Sequence, residues 1–297
     1  MKHIWLFLKG LAMGAADVVP GVSGGTIAFV TGIYTELLDS IKSIGPQALG
    51  VWRRQGLRAF WQHINGTFLL VLGSGILLAL LTLARGIHYL LLNYPVWVWA
   101  FFFGLILASS WHVGKEIRRW RLPELAFLLA GAALAAWISL ASPTQIEATP
   151  LIVFIAGSVA ICAMILPGIS GSFILLLMGL YEPILGAVKA FDLATMGLFA
   201  CGAALGLTLF SRLLSWLLHH YHHAMFALLT GFMLGSLVKV WPWKETLLTR
   251  LNSKGEVVPF IQGNILPSLS AETGLALLLS VVGFTLVIGL ERIAKAR

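Results

Sequence analysis

Charged residues are scarce in this sequence of 297 residues. Only 11% are Asp, Glu, Lys or Arg, whereas 59% are hydrophobic, and the mean hydropathy is +0.91. A soluble domain of this length cannot bury so much apolar surface in its interior. The composition therefore excludes an ordinary soluble domain and indicates a polytopic membrane protein.

Acidic residues and cysteines are also few. Lys and Arg outnumber Asp and Glu by 20 to 12, but the basic residues lie between apolar runs and form no cluster with interleaved aromatics. This distribution is a signal of membrane topology, so we expect no nucleic-acid partner. Cys162 and Cys201 fall within apolar runs, where a thiol behaves as a small hydrophobic group, and we expect no disulfide.

A proline-glycine motif occurs twice and organises the chain. The first copy, PGVSGGT, covers residues 20–26, and the second, PGISGSF, covers residues 167–173. The copies match at a shift of 147 positions, and the match continues to Tyr34 and Tyr181. Farther along, the shift becomes 127, which localises 20 extra residues (147 − 127) to one loop of the first half. This pattern indicates an internal duplication.

Each motif interrupts an apolar segment that is too short to cross a bilayer. As a helix, the segment 4–19 reaches roughly 24 Å, against the ~30 Å of the hydrocarbon core. Proline and glycine then break the helix before a second helical arm. We therefore predict re-entrant helical hairpins over residues 4–41 and 151–188. Irregular backbone at membrane depth is tolerated only where protein or a watery cavity satisfies its polar groups.

Apolar runs elsewhere predict six transmembrane helices, over residues 66–92, 96–113, 125–141, 193–218, 224–240 and 275–290. Lys and Arg concentrate in the segments between these apolar runs, among them an inserted interfacial loop over 42–65. Because basic segments face the cytoplasm, this distribution predicts that both termini also lie in the cytoplasm. The sequence thus predicts an all-α polytopic membrane protein. Its two inverted repeats, 1–141 and 142–297, would each hold one re-entrant hairpin and three transmembrane helices.

The hairpin tips are the candidate substrate site. Free backbone N–H groups and the helix dipole at the start of each second arm favour an anion, and tips that enter from opposite faces can meet near the midplane. The alternative is that these glycines only permit close helix packing. The predicted substrate-binding residues of the tips are Gly21, Ser23, Gly24, Gly25, Thr26, Gly168, Ser170, Gly171 and Ser172.

Charged residues inside the apolar segments are further candidates. Arg85 and Arg212 match at the shift of 127, and they either coordinate phosphate or snorkel to the interface. Asp17, Glu36 and Glu182 are candidates for coupling transport to H⁺ or Na⁺, because an acid in a membrane segment is a functional hypothesis by default.

Enzyme activity and metal binding are the weaker interpretations of the remaining signals. The Gly-x-Ser-Gly sequence resembles that of intramembrane serine proteases, but the histidines lie near span ends, away from the tip serines. The sequence therefore predicts no enzyme. The HHYHH segment at 219–223 lacks a nearby cysteine or carboxylate, so a solvated turn is favoured over a metal site. We expect no cofactor other than a coupling ion.

Residues 14–26, GAADVVPGVSGGT, followed by GIY at 32–34, resemble the bacterial polyprenyl-phosphate transporter family, often called PopT. The likeness spans nearly the whole chain, including the second PGISG. The resemblance implies a flippase for undecaprenyl phosphate, the lipid carrier of cell-wall glycan precursors, in the bacterial cytoplasmic (inner) membrane. It supplies the substrate, since the residues alone indicate only an anion site and also fit an ion-coupled transporter of small anions. It implies no catalytic residues.

Overall fold

The computed structural model describes residues 2–19, 21–251 and 257–295, so Pro20 of the first motif lies outside the described residues. The chain in these ranges is helical apart from one two-stranded antiparallel sheet. The elements are α1 (Lys2–Asp17), α2 (Gly24–Val30), α3 (Tyr34–Ser43), α4 (Pro46–His63), α5 (Gly66–Asn93), α6 (Pro95–Gly114), α7 (Leu122–Leu140), α8 (Pro150–Ile165), α9 (Gly171–Leu177), α10 (Tyr181–Lys189), α11 (Leu193–His220), α12 (His222–Val240), β1 (Lys244–Leu251), β2 (Val257–Asn264) and α13 (Ala271–Lys295).

The long helices agree with the predicted transmembrane spans. Within the described residues, six helices are long and apolar enough to cross a membrane, namely α5, α6, α7, α11, α12 and the Ala271–Gly289 part of α13. Many of their leucines are exposed, among them Leu70, Leu81 and Leu278. Exposed leucine along such helices is the surface expected to face lipid. The prediction of a helical, multi-pass membrane protein is confirmed.

The hairpins differ from the prediction in their second arms. The first arms, α1 and α8, are single helices of 16 residues each. Each second arm consists of two short helices, α2 with α3 and α9 with α10, instead of the one helix expected, and the second pair is bent by 110°. The bends contain Gly32 and Gly179, both at φ +72°. Glycine takes this left-handed conformation without the steric penalty of a Cβ, so it ends the first short helix at the same place in both hairpins.

Two segments predicted as loops contain regular structure. The insert 42–65 holds the helix α4, which is kinked at Gly56 (φ +83°) and exposes Trp52, Arg53 and Arg54. Exposed basic and aromatic residues on one helix suit a position at a membrane surface. The long segment between α12 and α13 contains the β1–β2 hairpin.

The helices pack in pairs that follow the internal repeat. α1 packs against α5, and α8 packs in the same way against α11. In the other two large contacts, α6 packs against α13 and α12 packs against α7, so each half contributes one helix to each pair. Glycines permit the close approach, because a Cβ at Gly10 would meet the carbonyl of Leu72, and one at Gly157 would meet the carbonyl of Phe199. Helices of the two halves therefore pack directly against each other, in the pairs α6–α13 and α12–α7.

The contact between α6 and α13 yields a stability prediction. A Cβ at Gly104 would meet the carbonyl oxygen of Ser280, so Gly104→Ala must force the two helices apart. We expect a loss of about 1–3 kcal/mol of unfolding free energy, measured as a lower thermal unfolding temperature of the purified protein in detergent. The matched control is Gly73→Ala on α5, where nothing beyond the neighbouring backbone of the same helix lies within 4 Å of the added methyl group. Alanine is the better helix former, so the control should be neutral or slightly stabilising. Equal effects of the two substitutions would contradict the packing argument.

Candidate functional site

The two hairpin tips, around Gly21 to Thr26 and Gly168 to Phe173, have matching backbone at their glycine and serine positions. Gly21 has φ +84° and Gly168, at the same place in the repeat, has φ +85°. Ser23 caps the N-terminus of α2 and Ser170 stands at the N-cap of α9, both with extended backbone. The duplicated motif therefore builds the same turn twice.

The structure brings the two tips into direct contact. Ser23 Oγ donates a hydrogen bond to the carbonyl oxygen of Met164 (2.8 Å), and Thr26 Oγ1 accepts one from the amide of Gly168 (2.9 Å). The hydroxyl of Tyr34 adds a bond to the carbonyl oxygen of Ile165 (3.2 Å). Ser23, Thr26 and Tyr34 are buried. We call this set of contacts the tip crossing, and it satisfies backbone groups that the broken helix of the second tip leaves without intrahelical partners.

The amides of the first tip are not free. The amide of Gly24 donates to Asp17 Oδ1 (2.7 Å), that of Gly25 to Ser23 Oγ (3.0 Å), and that of Thr26 to the carbonyl oxygen of Ser23 (2.9 Å). The prediction of free N–H groups at this tip is therefore wrong. The protein's own carboxylate lies at the positive end of α2, where an anion was expected.

The second tip lacks this internal anion. Met164 occupies the position that matches Asp17 in the repeat, and its side chain cannot accept such a bond. The side chain of Ser170 does not cap the first turn of α9, and its Oγ is hydrogen-bonded to Ser172 Oγ (2.9 Å) instead. The two tips are thus alike in backbone and different in charge. The substrate-binding role of the tip residues stays a prediction.

The structure does not bring Arg85 and Arg212 to the tip crossing. Both side chains are exposed, and the guanidinium group of Arg212 lies against Gly45 at the start of α4. Within the described part of the chain, no hydrogen bond or ion pair joins either arginine to a tip residue. Phosphate coordination by these arginines stays a prediction without geometric support.

The two candidate glutamates also lie away from the crossing contacts. Glu36 Oε1 accepts a hydrogen bond from Asn65 Nδ2 (3.1 Å) and lines an open cavity of about 470 Å³ between α3 and the end of α4. Glu182 lies in the first turn of α10, partly buried. Asp17 contacts the turn of the first tip directly, through the amide of Gly24.

A polar cluster between α3 and α11 was not anticipated from the sequence. Ser215 Oγ donates to Asp39 Oδ1 (2.6 Å) and accepts from Lys42 Nζ (3.2 Å), and His219 Nε2 lies 3.8 Å from Asp39 Oδ2. The cluster joins the second arm of the first hairpin to a long helix of the second half. It also gives His219 a partner, and the described residues contain no group of three His, Cys, Asp or Glu side chains able to hold a metal ion.

Two lysines beside the first tip were also missed. The side chain of Lys239, in the last turn of α12, lies against Gly21, and its ammonium group is 4.2 Å from the ring centroid of Phe173. Lys244 Nζ donates to the carbonyl oxygen of Lys239 (2.5 Å) and lies 4.1 Å from the ring centroid of Trp99. Burial, together with the neighbouring charge of Lys239, lowers the pKa of Lys244 to about 7. In the sequence, Lys239 is visible as a lysine near the end of an apolar helix, and a lysine in that position is usually explained by snorkelling to the interface.

Comparisons with known proteins decide the family. Residues 13–258 match the family described as VCA0040-like, undecaprenyl phosphate translocase-like. The chain belongs to this family. It is 52% identical over 302 aligned residues to a polyprenyl-phosphate transporter of Vibrio cholerae, covering 99% of this chain and 98% of the relative. It is 36% identical over 261 residues to a polyprenyl-phosphate transporter of Staphylococcus aureus, covering 82% of this chain and 88% of that relative. No solved structure matches the chain significantly.

The tip crossing of this family member can be tested through one buried hydroxyl group. Thr26→Val keeps the side-chain shape but removes the acceptor of the Gly168 amide, which leaves a buried donor unpaired. We expect a loss of about 1–3 kcal/mol of unfolding free energy. A lower thermal unfolding temperature measures this loss of stability. The Gly168 amide should also exchange its hydrogen with solvent faster than in the wild-type protein. The control is Thr82→Val, whose exposed hydroxyl bonds only within its own helix. Unchanged unfolding and exchange in both variants would show that the crossing does not depend on this contact.

Proposed function

We propose that the protein is a flippase that translocates undecaprenyl phosphate, or a closely related polyprenyl phosphate, across the bacterial cytoplasmic (inner) membrane, with both termini in the cytoplasm. The observation that carries the proposal is the tip crossing, in which two broken helices from the two halves meet inside a bundle of membrane-spanning helices. Broken helices of this kind line substrate sites in secondary transporters. Family membership supplies the substrate class.

We also propose that the halves are inverted repeats. The matching glycine conformations of the two tips, the matching pairs α1–α5 and α8–α11, and the exchanged pairs α6–α13 and α12–α7 support this arrangement. One hairpin plus three spans per half gives an odd number of crossings, so the second half enters the membrane from the opposite side. Two tips related in this way give the headgroup equivalent approaches from the two leaflets.

In this proposal the structure corresponds to a closed state. The contacts of Ser23 and Thr26 with the second tip are buried, so a headgroup can reach the crossing only when these contacts open on one side. The lipid tail stays in the bilayer during translocation. The uncapped start of α9, at Ser170, Gly171 and Ser172, is the part of the predicted site that holds no acidic group of the protein itself.

Coupling to an ion is proposed at Asp17. The carboxylate is partly buried and holds the Gly24 amide, while the matching Met164 cannot ionise, so any charge coupling through this position is one-sided. A phosphate that binds near Asp17 would repel the carboxylate, and uptake of H⁺ or Na⁺ would remove the repulsion.

Reconstitution into liposomes tests the proposed function. We expect the protein to expose undecaprenyl phosphate from the inner leaflet to an added membrane-impermeant phosphatase much faster than empty liposomes do. The same liposomes should not take up inorganic phosphate, which distinguishes the flippase from a transporter of small anions. The recovered lipid should be chemically unchanged before phosphatase is added, which distinguishes it from a hydrolase. Lipid exposure equal to that in empty liposomes would overturn the proposal.

The role of Asp17 is tested by Asp17→Asn in the same assay. Asparagine keeps an oxygen that can accept the Gly24 amide but cannot titrate, so lipid binding should be largely retained while the dependence of translocation on pH or sodium becomes flat. Asp192→Asn is the matched control, since Asp192 also caps a helix through its carboxylate but is exposed and outside the tips. If Asp17→Asn follows the wild-type curves in both pH and sodium series, Asp17 does not couple transport, and Glu36 and Glu182 become the candidates.

A further inference from the structure

The ammonium groups of Lys239 and Lys244, beside the first tip, are partly shielded from water. Trp99 and Phe173, the rings over which the ammonium groups lie, are both buried, with exposed fractions of 8% and 7%. Lys239 and Lys244 are themselves only partly exposed. The ammonium groups therefore face aromatic rings and backbone more than water, and both side chains keep part of their surface exposed.

The positive charges have no counter-charge within the protein. In the described part of the chain, no carboxylate lies within ion-pair distance of Lys239 or Lys244, and the nearest ionic influence on Lys244 is the like charge of Lys239. Cation–π contacts compensate part of the lost hydration but carry no net negative charge. Desolvated charges that lack a partner are unfavourable, which indicates that an anion completes this pair in the working protein.

The lysines are held in place by the surrounding fold. The β1–β2 hairpin is fastened to the end of α12, because Asn264 Nδ2 donates to the carbonyl oxygen of Val238 (2.8 Å) and Trp241 Nε1 donates to that of Ile265 (2.9 Å). Lys244 begins β1 and Lys239 lies in the last turn of α12, so these bonds fix the spacing of the pair. The β1–β2 hairpin thereby places the ammonium group of Lys244 next to Lys239, beside the first tip.

The pair is also specific to one side of the molecule. At the repeat shift of 127, Lys239 corresponds to His112 in the last turn of α6 (239 − 127 = 112). The first half has no β-hairpin after α6, since α7 follows within eight residues (Gly114 to Leu122), and so it has no equivalent of Lys244. The pair of Lys239 and Lys244 at the end of α12 therefore has no counterpart at the matching position of α6, where His112 stands and no β-hairpin follows.

We propose that Lys239 and Lys244 form a headgroup subsite that binds a phosphate monoester beside the tip crossing, on the side where α12 ends. The inference rests on the proposed function for the identity of the lipid, but the chemistry it requires is only a phosphate group. Lysine binds phosphate as a point charge, and a phosphate bound beside Lys239 and Lys244 favours the charged form of both ammonium groups. Gly21 lies against the Lys239 side chain, so a phosphate held there is adjacent to the first tip.

The test measures binding of three probes to the full-length protein in detergent: undecaprenyl phosphate, undecaprenol and inorganic phosphate. We expect Lys239→Gln and Lys244→Gln each to weaken undecaprenyl phosphate binding by about 10- to 100-fold and to leave undecaprenol binding unchanged. Lys244→Arg keeps the charge and should restore most of the affinity. Lys115→Gln is the matched control, because Lys115 also lies over a tryptophan ring, that of Trp111, but is exposed.

A second measurement needs no substitution. Amine-reactive labelling of the wild-type protein, read by mass spectrometry, should show that undecaprenyl phosphate protects Lys239 and Lys244 but not the exposed Lys189. Wild-type affinity in the folded double variant, or labelling of the pair that the phosphate probes leave unchanged, would overturn the subsite. Protection by inorganic phosphate in a protein that fails to translocate the lipid would retain the subsite and reject the proposed function. If the wild-type protein translocates the lipid and the substitutions of Lys239 and Lys244 change neither binding nor translocation, the proposed function is retained and the subsite is rejected.

Discussion

The absence of water in the hydrocarbon core is the constraint on which this structure depends. Every backbone N–H and C=O group at that depth needs a partner within the protein, and a helix broken in mid-course leaves several without one. Here two broken helices meet, and side chains of the first hairpin supply partners to the backbone of the second tip. The hydroxyls of Ser23 and Tyr34 satisfy carbonyls that end α8, and Thr26 satisfies the amide of Gly168. The irregular backbone of the second tip is thus stabilised by the first, whereas the first tip is stabilised by its own Asp17 and Ser23.

Duplication explains why the pair exists, and divergence explains how it can work. The same turn occurs twice, with Gly21 and Gly168 at almost the same φ. The charges around the turns differ, because Asp17 is matched by methionine, and Lys239 and Lys244 lie on the side of the β-hairpin. In the proposed transporter, this difference gives the two approaches to the crossing unequal attraction for an anionic headgroup.

Much of the fold could be predicted because hydropathy and chain breaks act locally. Bilayer thickness sets the length of an apolar run that spans, so all six long helices were predicted within a few residues of their observed ends. The motif at 20–26 and 167–173 predicted both tips, since a proline next to glycines breaks a helix wherever it occurs. The split second arms were missed because Gly32 and Gly179 are single glycines, and a lone glycine in a helical segment is usually tolerated.

The sequence by itself therefore determined the membrane class, the spans, the duplication and the positions of the two tips. Only the tertiary structure decided which groups meet at the tips. The hydrogen bonds of Ser23 with Met164 and of Thr26 with Gly168 join residues 141 and 142 positions apart, and no local pattern encodes them. That Arg85 and Arg212 stay exposed also depends on how the helices pack. Asp17 and Gly24 are only seven positions apart, but the turn that brings them together forms within the packed tip. Polar partners inside a membrane are fixed by packing geometry, whereas the spans are fixed by composition alone.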